Sequence, residues 1–215
     1  MLKDLRKEID AIDEQLISLL KQRMKVVKKV GALKKKNGEK FFIRSAREAD
    51  MIKILLKKTG KDLPKSLVID IWRKLITAAN MCEQPLRIAS SHPQQEHLLH
   101  NFYSSEVPIT HFKKEKEVIS ALKNGEALIG IFALPPHNSE KWWDSLPENF
   151  YVFTRIPFAE KSEIKLVAVA AKEPEKSSDD VTLIVEKNAI IEVNGFHLTH
   201  KFGKVVGHYA KPPKL

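Results

Sequence analysis

The sequence predicts a two-part fold: an all-α unit of three helices over residues 1–85, then an α/β domain over residues 86–215. Three observations predict it. Apolar residues recur at a helical period through the first 36 positions, and after Pro85 the apolar runs become short and strand-like. The charge divides at the same place. Residues 1–85 hold 21 Lys/Arg against 11 Asp/Glu, and the remainder holds 16 of each, so the whole net charge of +10 sits on the first part.

The first helix spans residues 2–36, which contain no proline and only one glycine, Gly31. Leu5, Ile9, Ile12, Leu16, Leu19, position 23, Val26, Val30 and Leu33 alternate in steps of four and three, the seam of a coiled coil. At ~1.5 Å per residue such a helix is about 50 Å long, whereas a compact unit of 85 residues is about 30 Å across. One chain cannot cover it. A homodimer is expected, with two long helices sharing a seam.

Asn37-Gly38 ends this helix. Ser45-Ala46-Arg47-Glu48 has the form of a capping box and predicts a second helix to about Thr59, stopped by Gly60. Pro64 suits the first position of a third helix, with Val68, Ile71, Trp72, Leu75 and Ala79 as its apolar face and Pro85 as its end.

Beyond Pro85, strands are predicted at Leu86–Ala89, Val107–Phe112, Ala127–Leu134, Tyr151–Pro157, Ile164–Ala171, Val181–Val185 and Ile190–Val193, with a helix over Lys113–Asn124. Ala127–Leu134 is almost continuously apolar, as a buried parallel strand should be. Glu173–Asp180 reads as a surface loop, and Trp142-Trp143 as packing.

Composition narrows the class. A single cysteine, Cys82, allows neither an internal disulfide nor a cysteine-based metal site, which suits a reducing, cytoplasmic setting. Acids interrupt the first ten residues, so no signal peptide is expected there, and no apolar run approaches the ~20 residues of a membrane span. The histidines, among them His92, His97, His100 and His111, lack a metal-ligand pattern and are read as ordinary surface residues.

Arg23 breaks the seam. It stands in phase with Leu19 and Val26, and no acid lies at 19, 20, 26 or 27 to neutralise it on its own helix. Burying an unpaired guanidinium is costly. Either Arg23 snorkels or meets an acid on another helix, or its missing anion is a ligand. Lys34, eleven residues on, lies on roughly the same face.

The series Leu5-Arg6-Lys7-Glu8-Ile9-Asp10-Ala11-Ile12-Asp13, Leu16, Leu19-Leu20, Arg23, Val30-Gly31, Lys34 and Arg47-Glu48 resembles the AroQ-class chorismate mutases in order, spacing and helix length. Residues 47–51 and Ile71-Trp72-Arg73 resemble alphaproteobacterial members in particular. The resemblance implies an intertwined dimeric isomerase that converts chorismate, a dianion, to prephenate by a pericyclic shift. That reaction needs no cofactor or metal. The enzyme holds a chair-like conformer and stabilises charge on the breaking ether oxygen. Residue by residue, Arg23 and Arg6 would grip the carboxylates, with Arg6 donated from the other protomer. Lys34 would serve a carboxylate and the ether oxygen, Arg47 would add positive potential, and Glu48 would meet the ring hydroxyl. Glu48 also has the competing reading of a capping-box residue. Glu83, near the end of the third helix, would face the ether oxygen, where the family usually has Gln. An ionised glutamate would repel the developing charge, so activity is expected to fall as pH rises. Read blandly, Glu83 is a solvated helix-end acid. The chain departs from the family in a loop one residue longer after Lys34, in Arg44 where many members have Asp, and in Ala79 where a hydroxyl residue is common.

The second domain faintly resembles the start of prephenate dehydratase, through Arg87-Ile88-Ala89, Glu117–Leu122 before Asn124-Gly125, Ile129-Gly130-Ile131 and Asn138-Ser139. Ser90-Ser91-His92-Pro93 replaces that family's Gly-Pro-rich turn, and only Thr154-Arg155-Ile156 answers its Thr-Arg-Phe motif. The expectation is a degenerate relative. Two rivals remain at this stage: a basic helical dimer that binds nucleic acid through Lys25, Lys28, Lys29, Lys35 and Lys36, and a structural dimerisation module. Both leave Arg23 unexplained.

Overall fold

The computed structural model describes residues 1–136, 140–158, 163–201 and 203–213; Asn138-Ser139 fall outside them. Packing divides the chain into two compact units, Met1–Phe42 with Ala78–Pro85, and Ile43–Thr77 with Leu86–Leu215.

In the first unit, α1 (Leu2–Lys36) is one continuous helix of 35 residues, about 52 Å long at its ordinary rise. The N-terminal ammonium meets Asp4 at 2.7 Å, and Lys34, Lys35 and Lys36 occupy the last turn, where the helix dipole favours cations. The apolar stripe read from the sequence is open along the helix: Leu5, Ile9, Ile12, Leu16, Val26 and Leu33 are each half-exposed or more, and Leu19 is 60% exposed. Gly31 is the buried residue of α1. Glu83, near the end of the third helix, lies beside it.

The second unit begins with α2 (Ser45–Lys58), which buries Ala46, Glu48, Ala49 and Ile52 at helical spacing. The expected capping box is absent. Arg44, not Ser45, holds the capping position without a side-chain bond, so Ser45 is already the first helical residue. Glu48 therefore lies one place too far along to reach back. Gly60, at φ +60, follows the helix as expected. α3 (Lys65–Glu83) starts just after Pro64, whose carbonyl accepts from the Val68 N–H. Its apolar face is rotated from the one read in the sequence. Ile71 is 43% exposed, while Val68, Ile69, Arg73, Ile76 and Thr77 are buried. The periodicity was right, but polar Arg73 and Thr77 belong to the inward side.

The rest of this unit is one mixed sheet. Its strands are β1 (Ile88–Ser90), β2 (Ile109–His111), β3 (Ile129–Ala133), β4 (Phe150–Ile156), β5 (Leu166–Ala171), β6 (Asp180–Glu186), β7 (Ala189–Asn194) and β8 (Lys204–Ala210), in the order β2-β1-β3-β5-β4-β8-β6-β7. α4 (Glu96–Phe102) and α5 (Glu115–Lys123) make the crossovers that keep β2, β1 and β3 parallel. Every residue of β3 is buried, as its apolar run requires, although its other neighbour, β5, is antiparallel. Phe132, Val167, Val169, Leu183 and Trp142 sit in the core; the Trp142 ring stacks on Phe132 at 4.7 Å. β6 and β7 form a hairpin through Lys187 and Asn188, both at positive φ, the backbone of a tight two-residue turn. At Gly207 a Cβ would lie 2.3 Å from the Val152 nitrogen, so only glycine lets β8 run beside β4 there. Among the described residues no helix is long and apolar enough to cross a membrane.

Candidate active site

Within the first unit the structure brings together Lys34 and Glu83. The Lys34 ammonium donates to Glu83 Oε2 at 2.6 Å and to the Phe42 carbonyl at 2.7 Å, and lies 5.5 Å from the Phe42 ring centroid. Two of the three N–H donors of Lys34 are used in this way. The side chains are 14% and 7% exposed, so Glu83 is not the solvated helix-end acid of the bland reading. A pair this dry contributes charge in a low-dielectric setting, where removing one partner typically costs about 3–5 kcal/mol.

The backbone explains how the two meet. Gly31 is one turn before Lys34, and a Cβ there would stand 3.0 Å from Glu83 Cγ. Glycine thus lets the end of α3 lie against α1. Gln84 fixes the strap between the helices, its Oε1 accepting the Phe42 N–H at 3.0 Å. Arg23 is partly buried and Arg6 is exposed. At ~1.5 Å per residue, Arg23 lies about 16 Å from Lys34 along the axis and Arg6 about 42 Å. Two long side chains can converge on one small dianion over the first distance. Over the second they cannot within one chain.

In the second unit Glu48 is buried and does not cap its helix. Its Oε2 accepts from Arg73 Nη1 at 3.3 Å. The Arg73 Nε donates to the Phe102 carbonyl at 3.3 Å, and the guanidinium lies 3.7 Å over the Phe102 ring. Tyr103, packed edge-on to Phe102, is buried with its hydroxyl unbonded among the described residues. Burial pushes that phenol far above its ordinary range, the nearby Arg73 charge opposing and Glu48 adding to the shift. Arg47, on the same helix, is exposed.

The start of α2 is also clasped by residues 172–178. Lys172 donates to the Ile43 carbonyl at 3.0 Å and to Glu175 at 2.9 Å, while Arg44 meets Glu175 at 2.5 Å. The Ser178 N–H and hydroxyl both donate to Asp50. Burial lowers the Lys172 ammonium, its pairing with Glu175 only partly opposing this. Burial alone would raise the Glu175 carboxyl, but bonds from Lys172 and Arg44 together outweigh it and hold that carboxyl below its usual range. The stretch read as a plain surface loop is therefore a tether.

Sequence reasoning missed Arg73, Gln84 and the Phe102–Tyr103 pair. Arg73 and Gln84 had a signal: with Thr77 and Asn80 they set a polar series at steps of four, three and four along α3 and just past its end. The Phe102–Tyr103 pair had none, because Phe102 meets Arg73 through its ring face and backbone carbonyl. Among the described residues no group of three or more His, Cys, Asp or Glu is placed to hold a metal.

Residues 5–84 match the family model described as chorismate mutase type II. A bifunctional chorismate mutase/prephenate dehydratase from Aquifex aeolicus is 32% identical over 97 residues, covering 43% of this chain and 26% of that protein. Proteins of the same description from Stutzerimonas stutzeri and Pseudomonas aeruginosa are 30% and 31% identical over 97 residues, each covering 43% of this chain and 27% of the relative. The match thus spans about a quarter of the length of these relatives. The prephenate dehydratase of Streptococcus mutans overlays 58% of this chain and 98% of its own, with a TM-score of 0.39 and 10% identity.

Proposed function

We propose that residues 1–85 form a chorismate mutase, converting chorismate to prephenate. The observation that carries this reading is that residues 5–84 match the chorismate mutase type II family and contain, within that span, the dry Lys34–Glu83 pair. A pericyclic rearrangement needs a pocket that grips two carboxylates and answers charge on the ether oxygen, with no nucleophile. Arg23 and Arg6 grip the carboxylates, and Lys34 donates to a carboxylate and to the ether oxygen. Arg47 adds positive potential, Glu48 meets the ring hydroxyl, and Glu83 faces the ether oxygen. These assignments follow the family resemblance; the axial spacing of Arg6, Arg23 and Lys34 supports them.

The working form is a homodimer in which Arg6 crosses to the partner's pocket. The open stripe on α1 supports this. Fully burying one such aliphatic side chain contributes about 1.5–3 kcal/mol, so covering eight half-exposed ones is worth on the order of 10 kcal/mol. Residues 86–215 are a degenerate relative of prephenate dehydratase: Arg155, in the stretch that answers the catalytic motif, is buried on β4. We further read the chain as cytoplasmic and as alphaproteobacterial in type, on its lone cysteine and on residues 47–51. The nucleic-acid reading has no observation in its favour beyond charge.

The test is the loss of chorismate absorbance on adding purified protein, beside Arg23→Ala and Lys34→Ala. Fast loss with the parent and a fall of at least ~100-fold in both variants is expected, since each removes a charge stabilising the transition state. No loss with the parent between about pH 5 and 8 rejects the mutase.

A further inference from the structure

We infer that Arg73 is a positioning residue for Glu48, and that the α/β domain sets the position of Glu48 through it. This deepens the mutase reading and rests on it. The observations are geometric. Glu48 and Arg73 are both buried, and Arg73 Nη1 donates to the Glu48 carboxylate. Arg73 is itself held twice from beyond Pro85, by the Phe102 carbonyl at its Nε and by the Phe102 ring beneath its plane. A guanidinium suits this job because its planar fork can donate in two directions while its face lies on a ring.

The rest of the unit agrees. α2 belongs by sequence to the stretch that matches the mutase family, yet by packing it belongs with the sheet. Lys172, Glu175 and Ser178 tether Ile43, Arg44 and Asp50, so the helix that carries Glu48 is fixed at its start as well as at Glu48 itself. A mutase needing only its three helices would place its hydroxyl-binding carboxylate from within them. Here two elements of the α/β domain, the end of α4 and the segment after β5, hold the helix that presents it. The α/β domain thereby holds the helix that carries Glu48.

The experiment is a double-mutant cycle on the full chain with Glu48→Gln and Arg73→Met, read both as chorismate kinetics and as thermal unfolding, with Arg73→Lys as the conservative variant. Arg73→Met is expected to lower kcat/KM about 10- to 100-fold, chiefly through KM, and Arg73→Lys to recover part of it. If Arg73 acts through Glu48, the double variant is no slower than Glu48→Gln alone, and its loss of melting temperature is smaller than the sum of the two single losses. Additive losses in both readouts, or an Arg73→Met enzyme within about twofold of the parent, overturn the inference while leaving the mutase intact. Should the parent not turn over chorismate, the mutase reading falls separately. The melting cycle then decides the clamp alone: a combined loss smaller than the sum of the single losses supports it, and strictly additive melting shifts overturn it.

Discussion

Glu83 concentrates the chemistry at the scale of single residues. Its carboxylate sits against the Lys34 ammonium, and the Glu83 side chain packs close to Gly31, where an added Cβ would stand 3.0 Å from its Cγ. Where charge develops on an ether oxygen, an ionised carboxylate opposes it and a neutral amide donates to it. Lys34 would also be drawn between Glu83 and the substrate. Replacing Glu83 by Gln removes both conflicts while keeping shape and burial. Glu83→Gln is therefore expected to turn over chorismate several-fold faster than the parent. Equal rates for the two proteins would sink this assignment. The sequence exposed this residue only through resemblance. Periodicity alone put it near Ala79 and Trp72, and nothing in one sequence says that Gly31 of a distant helix lies beside it.

Elements were more legible than their caps and contacts. The helical period of residues 2–36, Gly60 and the apolar runs after Pro85 place every described helix of the first 85 residues and most strands to within a few positions, because burial demands those periods directly. Ser45–Glu48 misled because a capping box depends on which residue leaves the helical backbone, a choice the tether at Ile43 and Arg44 makes from far along the chain. The inward side of α3 was misplaced for a related reason: Arg73 looks like a surface residue until Glu48 and Phe102 are beside it. The tether also has a pH signature. The folded protein keeps Glu175 ionised to lower pH than the unfolded chain does. Its contribution is complete above the ordinary carboxylate range and is lost as pH falls below about 4.5. Between about pH 6 and 3 the melting temperature of Glu175→Gln should fall less steeply than that of the parent. Identical slopes would mean that Arg44 and Lys172 gain nothing from that charge.

For the whole molecule, the length of α1 is the governing fact. Arg6 and Lys34 lie about 42 Å apart along one rigid helix, and the open stripe between them carries Leu16, Leu19 and Val26. If both residues serve one pocket, they come from different chains, and a two-fold pair of helices running against each other makes two such pockets. This arrangement makes a prediction that a monomer, or a dimer with self-contained sites, does not share. Arg6→Ala and Lys34→Ala, each nearly inactive alone, are mixed, dissociated and allowed to reassociate. About half of the dimers formed at random are hybrids, and each hybrid holds one pocket with both residues intact and one with neither. Activity should return to about a quarter of the parent value, and it should do so only after exchange of chains. An inactive mixture whose chains have demonstrably exchanged would place Arg6 outside the pocket. Full dispersal of the parent to monomers with activity retained would remove the shared seam altogether.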